Sequence, residues 1–226
     1  MAVLLSLETS TTVCSAALHE NGKIQSSIEL HIAQSASSRL AVVIDDLLEL
    51  CDVQASQVDG VAVSAGPGSF TGLRIGVATA KGLCYALGVP LISVNTLELM
   101  THQAKEFNFD NTLLCPMLDA RRMEVYCLLA DASLTVLEST EAKVIDELSF
   151  RSWLDQGVIS FFGNGSAKCK GIIRHPNARF IDGIIPSAVM LGELAFQKFE
   201  AKQFEDISAF EPFYLKDFMI RKPKSV

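Results

Sequence analysis

The sequence predicts an α/β fold in two consecutive parts, and three observations carry that expectation. The chain opens with three short apolar runs separated by turn residues. It then alternates helical and extended hydrophobic periods to about residue 105, and a second series of strands followed by a helix begins after the polar stretch EFNFDNT. With 226 residues, 49% of them hydrophobic and 20% charged, the chain can build a packed core, which excludes disordered, collagen-like and coiled-coil readings. The expected division is 1–102 and 103–226, with no internal repeat visible by inspection, although two halves that both open with strands allow a structural duplication.

Val3–Leu7 and Val13–Leu18 read as strands, Asn21-Gly22 as a hairpin turn and Lys23–Leu30 as a third strand. From Ser37 to Cys51 the residues Leu40, Val43, Ile44, Leu47 and Leu48 recur at helical spacing, with Asp45, Asp46 and Glu49 on the other side. Val58–Ser64 reads as a buried strand running into the loop GPGSFTG and a helix that Gly88 is placed to end. Val89–Val94 is a further strand and Leu97–Lys105 a further helix. Beyond the boundary, LLCPMLDA, MEVYCLLAD and LTVLEST read as strands, VISFF as a strand before a Gly-Asn-Gly turn, Ser187–Phe199 as a helix, and PFYLKDFMIRKPKSV as an extended, basic-ended tail.

Nineteen Lys and Arg against 26 Asp and Glu give a net charge of −7, so the surface as a whole is not a nucleic-acid platform, and RNA would need a local patch or a partner. The N-terminal MAVLLSLETS has no basic region ahead of its short apolar run, which points to a cytoplasmic protein with no membrane association. The six cysteines are dispersed without a CxxC and read as inert core thiols. His19, His31, His102 and His175 form no zinc-type pair.

The Gly-rich loop is open to several readings. Gly66, Gly68 and Ser69 stand between a buried strand and a helix N-terminus, where free amides can receive a phosphate, yet no GK[ST] or GxGxxG spacing is present. In the helix that follows, Gly72, Gly76, Ala80 and Leu83 share one side and form a small-residue face for close helix packing or a subunit interface. Glu8, at the end of the first strand, is either an acid that orients magnesium and water, as in nucleotide-binding actin-like folds, or an exposed turn carboxylate. Asp119, Arg121, Arg122 and Glu124 can clamp a phosphate, meet an acidic partner surface, or form a solvated hairpin rim.

LSLETSTTVCSAAL, GPGSFTGLRIGVATAKGL followed by GVPLISVNTLE, DARRMEVY, the Gly163–Gly165 turn and PFYLK together resemble, over nearly the whole chain, the glycoprotease-like family, in particular its scaffold subunits in bacterial threonylcarbamoyladenosine synthesis on tRNA. The resemblance implies an actin-like and Hsp70-like ATPase fold with a reduced C-terminal part, and a non-catalytic role. It implies as partners a larger homologous transferase subunit that modifies N6 of the adenosine 3′ of the anticodon, a small ATPase subunit, tRNA held through the complex, and a homodimer when the chain is alone. ATP or ADP and metal are then expected on the partner subunits or at their interface, with no intrinsic cofactor. Catalytic relatives carry two metal-binding histidines where this chain has Thr96 and Met100, and many relatives carry a histidine where this chain has Ser35. Partner docking is expected through Leu40, Val43 and Leu47 of the first helix with Gly72, Gly76, Ala80 and Leu83 of the second, so that a bulky residue at Gly76 would weaken the complex and leave the monomer folded. The competing readings are an actin-like small-molecule kinase or ATPase using Glu8 and the loop, and a peptidase, for which no nucleophile motif is present.

Overall fold

The computed structural model describes residues 1–32, 35–108 and 110–216; the Ser35 side chain and the basic Arg221, Lys222 and Lys224 lie outside the described residues. Two five-stranded sheets form the frame. The first holds β1 (Val3–Glu8), β2 (Cys14–Glu20), β3 (Lys23–Leu30), β4 (Gly60–Gly66) and β5 (Leu91–Asn95) in the order β3-β2-β1-β4-β5. β1, β2 and β3 pair antiparallel, whereas β4 and β5 run parallel to β1. The second holds β6 (Leu113–Asp119), β7 (Glu124–Ala130), β8 (Val136–Val144), β9 (Ile159–Phe162) and β10 (Ala178–Ile181) in the order β10-β9-β6-β7-β8. It repeats the pattern, with β6, β7 and β8 antiparallel and β9 and β10 parallel to β6. The fold is therefore duplicated although the sequence shows no repeat, because strand order is set by pairing and periodicity rather than by residue identity.

Strand alternation sorts the first core. Val3, Leu5 and Leu7 face α1 (Ser35–Leu50) and α2 (Phe70–Leu87), packing with Leu40, Val43, Ile44, Leu47, Val77, Ala80 and Cys84. Leu4, on the opposite pleat, meets α6 (Ala188–Glu200) through Leu191, Leu194 and Ala195, together with Leu99 of α3 (Thr96–Lys105). α3 lies between the sheets, its Leu97, Met100 and Ala104 packing on Leu114, Leu118 and Leu128 of the second. The expected boundary at 102–103 falls inside this helix.

The C-terminal chain also returns to the first sheet. Glu205 N donates to Leu91 O at 2.9 Å, Lys81 Nζ to Phe210 O at 2.9 Å and Phe213 N to Ala65 O at 2.7 Å. The contiguous division 1–102 and 103–226 is thus not how the chain packs, since residues 188–213 complete the first sheet's layers. Three short elements escape the sequence reading: α4 (Arg151–Leu154), α5 (Ser166–Cys169) and β10, each four residues long. α1 begins two residues before the expected Ser37.

Among the described residues no helix is long and apolar enough to cross a membrane. Five of the six thiols are buried and Cys51 is half-buried. Burial pushes the Cys84 and Cys169 thiols up to about 11, which keeps them protonated and unreactive.

Candidate functional site

The end of β1 carries Glu8, and its carboxyl is enclosed rather than exposed, which corrects the turn-carboxylate reading. It is fully buried, accepts from Ser10 N at 2.6 Å, and accepts from the Ser64 hydroxyl at the facing end of β4. Burial pushes its pKa from 4.5 up to about 7, with the hydrogen bonds at Ser10 opposing the shift.

Directly beside it, the β4–α2 loop closes onto the β1–β2 turn. Ser69 N donates to Ser10 O at 2.6 Å, while the Ser69 hydroxyl caps α2 by accepting from Gly72 N at 3.3 Å. Gly68 faces Ser10 so closely that a Cβ there would overlap the Ser10 carbonyl. Gly66, at φ +108°, faces the Phe213 carbonyl, where a Cβ would lie 2.8 Å from the oxygen. The strand–loop–helix geometry is the one a phosphate cradle uses, but the two loops bond to each other and leave no room for a phosphate between Gly68 and Ser10.

The small-residue face of α2 is also turned inward. Gly72 and Gly76 both lie against Thr9, whose hydroxyl donates to Gly72 O at 2.8 Å, and a Cβ at either glycine would penetrate Thr9 atoms. Ala80 is fully buried and Leu83 packs against the same core. Leu40, Val43 and Leu47 are likewise 2%, 4% and 0% exposed. Six of these seven residues are buried and hold α1 and α2 to their own sheet, so they are corrected from partner contacts to core residues; Leu83 is half-buried against the same core. The spacing that predicts close approach is right about the approach and wrong about the neighbour.

What α1 and α2 present outward is a different set. Val42 is 49% exposed, Leu50 71% and Tyr85 85%, with Ala41, Ala78, Gly82 and Ala86 exposed beside them. The helices are adjacent; on α2 the exposed Ala78, Gly82, Tyr85 and Ala86 share one small and apolar outer side, while on α1 Val42 and Leu50 stand among the exposed acids Asp45, Asp46 and Glu49. Its sequence signal was available: α2 carries apolar or small residues on both sides.

At the equivalent place in the second sheet, β6 ends at Asp119 and the hairpin turn to β7 carries Arg121 and Arg122. Lys168 of α5 bonds the Asp119 carboxylate and donates to Arg122 O at 2.8 Å and Glu124 O at 2.7 Å. Asn164, from the Gly163–Gly165 turn, accepts from Asp119 N at 2.9 Å, and Lys216 pairs with the Glu124 carboxylate. The structure therefore brings DARR and GNG together, and adds Lys168, which sequence spacing alone did not single out.

The positions at which a metal-binding histidine pair is the alternative, Thr96 and Met100, are both fully buried on α3. Met100 belongs to the core between the sheets, and its methyl group abuts Gly163. Among the described residues no group of three His, Cys, Asp or Glu side chains could hold a metal ion.

Three kinds of comparison bear on this geometry. The family described as "TsaD: tRNA N6-adenosine threonylcarbamoyltransferase" matches residues 30–219. A curated relative, "tRNA threonylcarbamoyladenosine biosynthesis protein TsaB" of Haemophilus influenzae, is 29% identical over 95% of this chain and 93% of its own length, and the Bacillus subtilis protein of the same name is 28% identical over 94% and 93%. Among solved structures, YeaZ from Pseudomonas aeruginosa superposes with a TM-score of 0.81 at 28% identity, covering 95% of this chain and all of that one. The fold is actin-like and Hsp70-like, with open mixed sheets and flanking helices.

Proposed function

We infer the function from one premise: this chain belongs to the glycoprotease-like family that contains TsaD, on its non-catalytic TsaB branch. It acts as a non-catalytic scaffold subunit in the biosynthesis of threonylcarbamoyladenosine in tRNA. The observation that carries this reading is at α3, where Thr96 and Met100 are packed into the core at the positions the resemblance assigns to two metal-binding imidazoles. A buried hydroxyl and a thioether do not supply a hard-metal site. The closed loop pair around Glu8 supports the same reading and disfavours the kinase or ATPase alternative.

In this role the chain positions a larger homologous transferase subunit, which holds the metal and transfers the threonylcarbamoyl group, and a small ATPase subunit joins the pair in the cytoplasm. ATP or ADP and metal belong to those subunits or to their interface. The exposed Val42, Leu50, Ala78, Gly82 and Tyr85 surface is where the transferase docks, and a second copy of the chain uses the same surface when the transferase is absent.

Two measurements test this. Affinity purification of the tagged chain at native expression recovers the transferase in near-stoichiometric amount; a folded bait without it sinks the reading. Substituting Ala78→Glu with Tyr85→Glu lowers transferase affinity by about tenfold or more, because an aromatic side chain that docking would bury and its small neighbour are replaced by charge. The monomer's melting temperature stays near the wild-type value, since both side chains are exposed. Unchanged affinity by calorimetry moves the docking surface elsewhere.

A further inference from the structure

The turn between β6 and β7 is built in an unusual way. Arg121 and Arg122 both have positive φ, +69° and +47°, in a region that Asn and Gly occupy at far lower cost. Two consecutive arginines in such a turn are a strain that the surrounding structure has to hold. It does so from behind: Lys168 ties Asp119, the Arg122 carbonyl and the Glu124 carbonyl, Asn164 bonds Asp119 N, and the Asp119 carboxylate accepts from Arg121 N at 2.9 Å.

The same contacts settle the charge balance. The Asp119 carboxylate is paired with Lys168 and the Glu124 carboxylate with Lys216. The two guanidinium groups are exposed and have no ion-pair or hydrogen-bond partner among the described residues. Local acids are thus neutralised by lysines, and the arginines are left as uncompensated positive charge on a fixed backbone. The matching turn of the first sheet is tied to α2 at Thr9 and Ser10, and its residues Thr9 to Val13 include no cation, so only the second sheet places cationic side chains on this turn.

We propose that the Arg121–Arg122 turn is a contact for the sugar-phosphate backbone of RNA, engaging phosphates through the planar donor forks of the two guanidinium groups. The inference rests on the scaffold reading above, which supplies tRNA as the RNA. A rigid turn with free side chains loses little conformational freedom on binding, and each phosphate it neutralises releases counterions. The turn contributes affinity and register and reads no base.

The test uses the complex of this chain with its transferase partner and titrates tRNA across a salt series. Arg121→Glu with Arg122→Glu weakens tRNA binding by about tenfold or more at 0.1 M salt and lowers the slope of log K against log salt by about 1 to 2, while the partner stoichiometry is unchanged. A second variant, Arg121→Asn with Arg122→Gly, relieves the positive-φ strain, so its melting temperature equals or exceeds wild type while tRNA affinity still falls. Arg121→Lys with Arg122→Lys keeps most of the salt slope. Identical affinities and slopes overturn the proposal, and so does loss of a protein subunit with tRNA affinity retained, which makes the turn a contact for an acidic protein surface. Failure of the wild-type chain to hold the transferase is read before any RNA is added and overturns the scaffold reading together with the inference.

Discussion

Replacing Gly72 by Ala lowers the stability of the chain by about 3 kcal/mol or more, whereas the same substitution at Gly82, ten residues along the same helix, raises it by about 0.5–1 kcal/mol. At Gly72 an added Cβ runs into the Thr9 carbonyl oxygen, and backbone is what must move. The same interface carries the Thr9 hydroxyl bond to Gly72 O and the Ser69 N bond to Ser10 O, so displacing α2 from β1 also strands buried polar groups. At Gly82 nothing lies within 4 Å of the Cβ position, and the glycine weakens the helix interior for no packing return. Urea denaturation of the isolated chain measures both. A Gly72→Ala protein with an unshifted midpoint and weakened transferase binding would restore the interface reading that the glycine spacing first suggests. The bulky substitution at Gly76 follows Gly72, because its Cβ meets the Thr9 hydroxyl; the structure thus reverses the expectation that the monomer stays folded.

This pair of glycines shows where the sequence is informative and where it stops. The buried stripe of α1, with Leu40, Val43, Ile44 and Leu47, is legible from period alone, as is the alternation of β1. A Gly72–Gly76–Ala80 stripe says that something approaches closely; it does not say whether that is the chain's own β1 turn or another subunit, because both leave the same spacing. Four-residue elements such as α4, α5 and β10 are too short to show any period. The return of α6 to the first sheet, and the closing of Asp119 by Lys168 forty-nine residues away, depend on pairings that no local window contains. The candidate site follows the same rule: Glu8 and DARR stand out as residues, while their partners Ser64, Lys168 and Asn164 are supplied by topology.

The Glu8→Gln protein is more stable than wild type at pH 8, by about 3 kcal/mol, and that advantage disappears by pH 4.5. The sign follows from the shift. Burial raises the folded-state pKa of Glu8 from 4.5 to about 7, so between those values the folded chain holds a proton that the unfolded chain has released. Stability is therefore highest at or below the unfolded value and is lost as pH rises through 7. Gln keeps the bond from Ser10 N and donates to the Ser64 hydroxyl without placing a charge in the core. His19, fully buried on β2 against Gly192 of α6, works in the opposite direction. Burial lowers its pKa from 6.5, so below that value the unfolded chain takes up a proton that folded His19 resists, and stability falls with acid. In the wild type the two slopes oppose each other between about pH 4.5 and 6.5. Removing the Glu8 charge unmasks the histidine, so the variant loses stability on acidification more steeply than wild type in chemical denaturation at a series of pH values. A stability difference between the two proteins that is the same at pH 5 and pH 8 would mean that the Glu8 carboxyl is solvated. A solvated carboxyl would also reopen the end of β1 to an incoming magnesium-bound phosphate, from which burial shuts the carboxyl off.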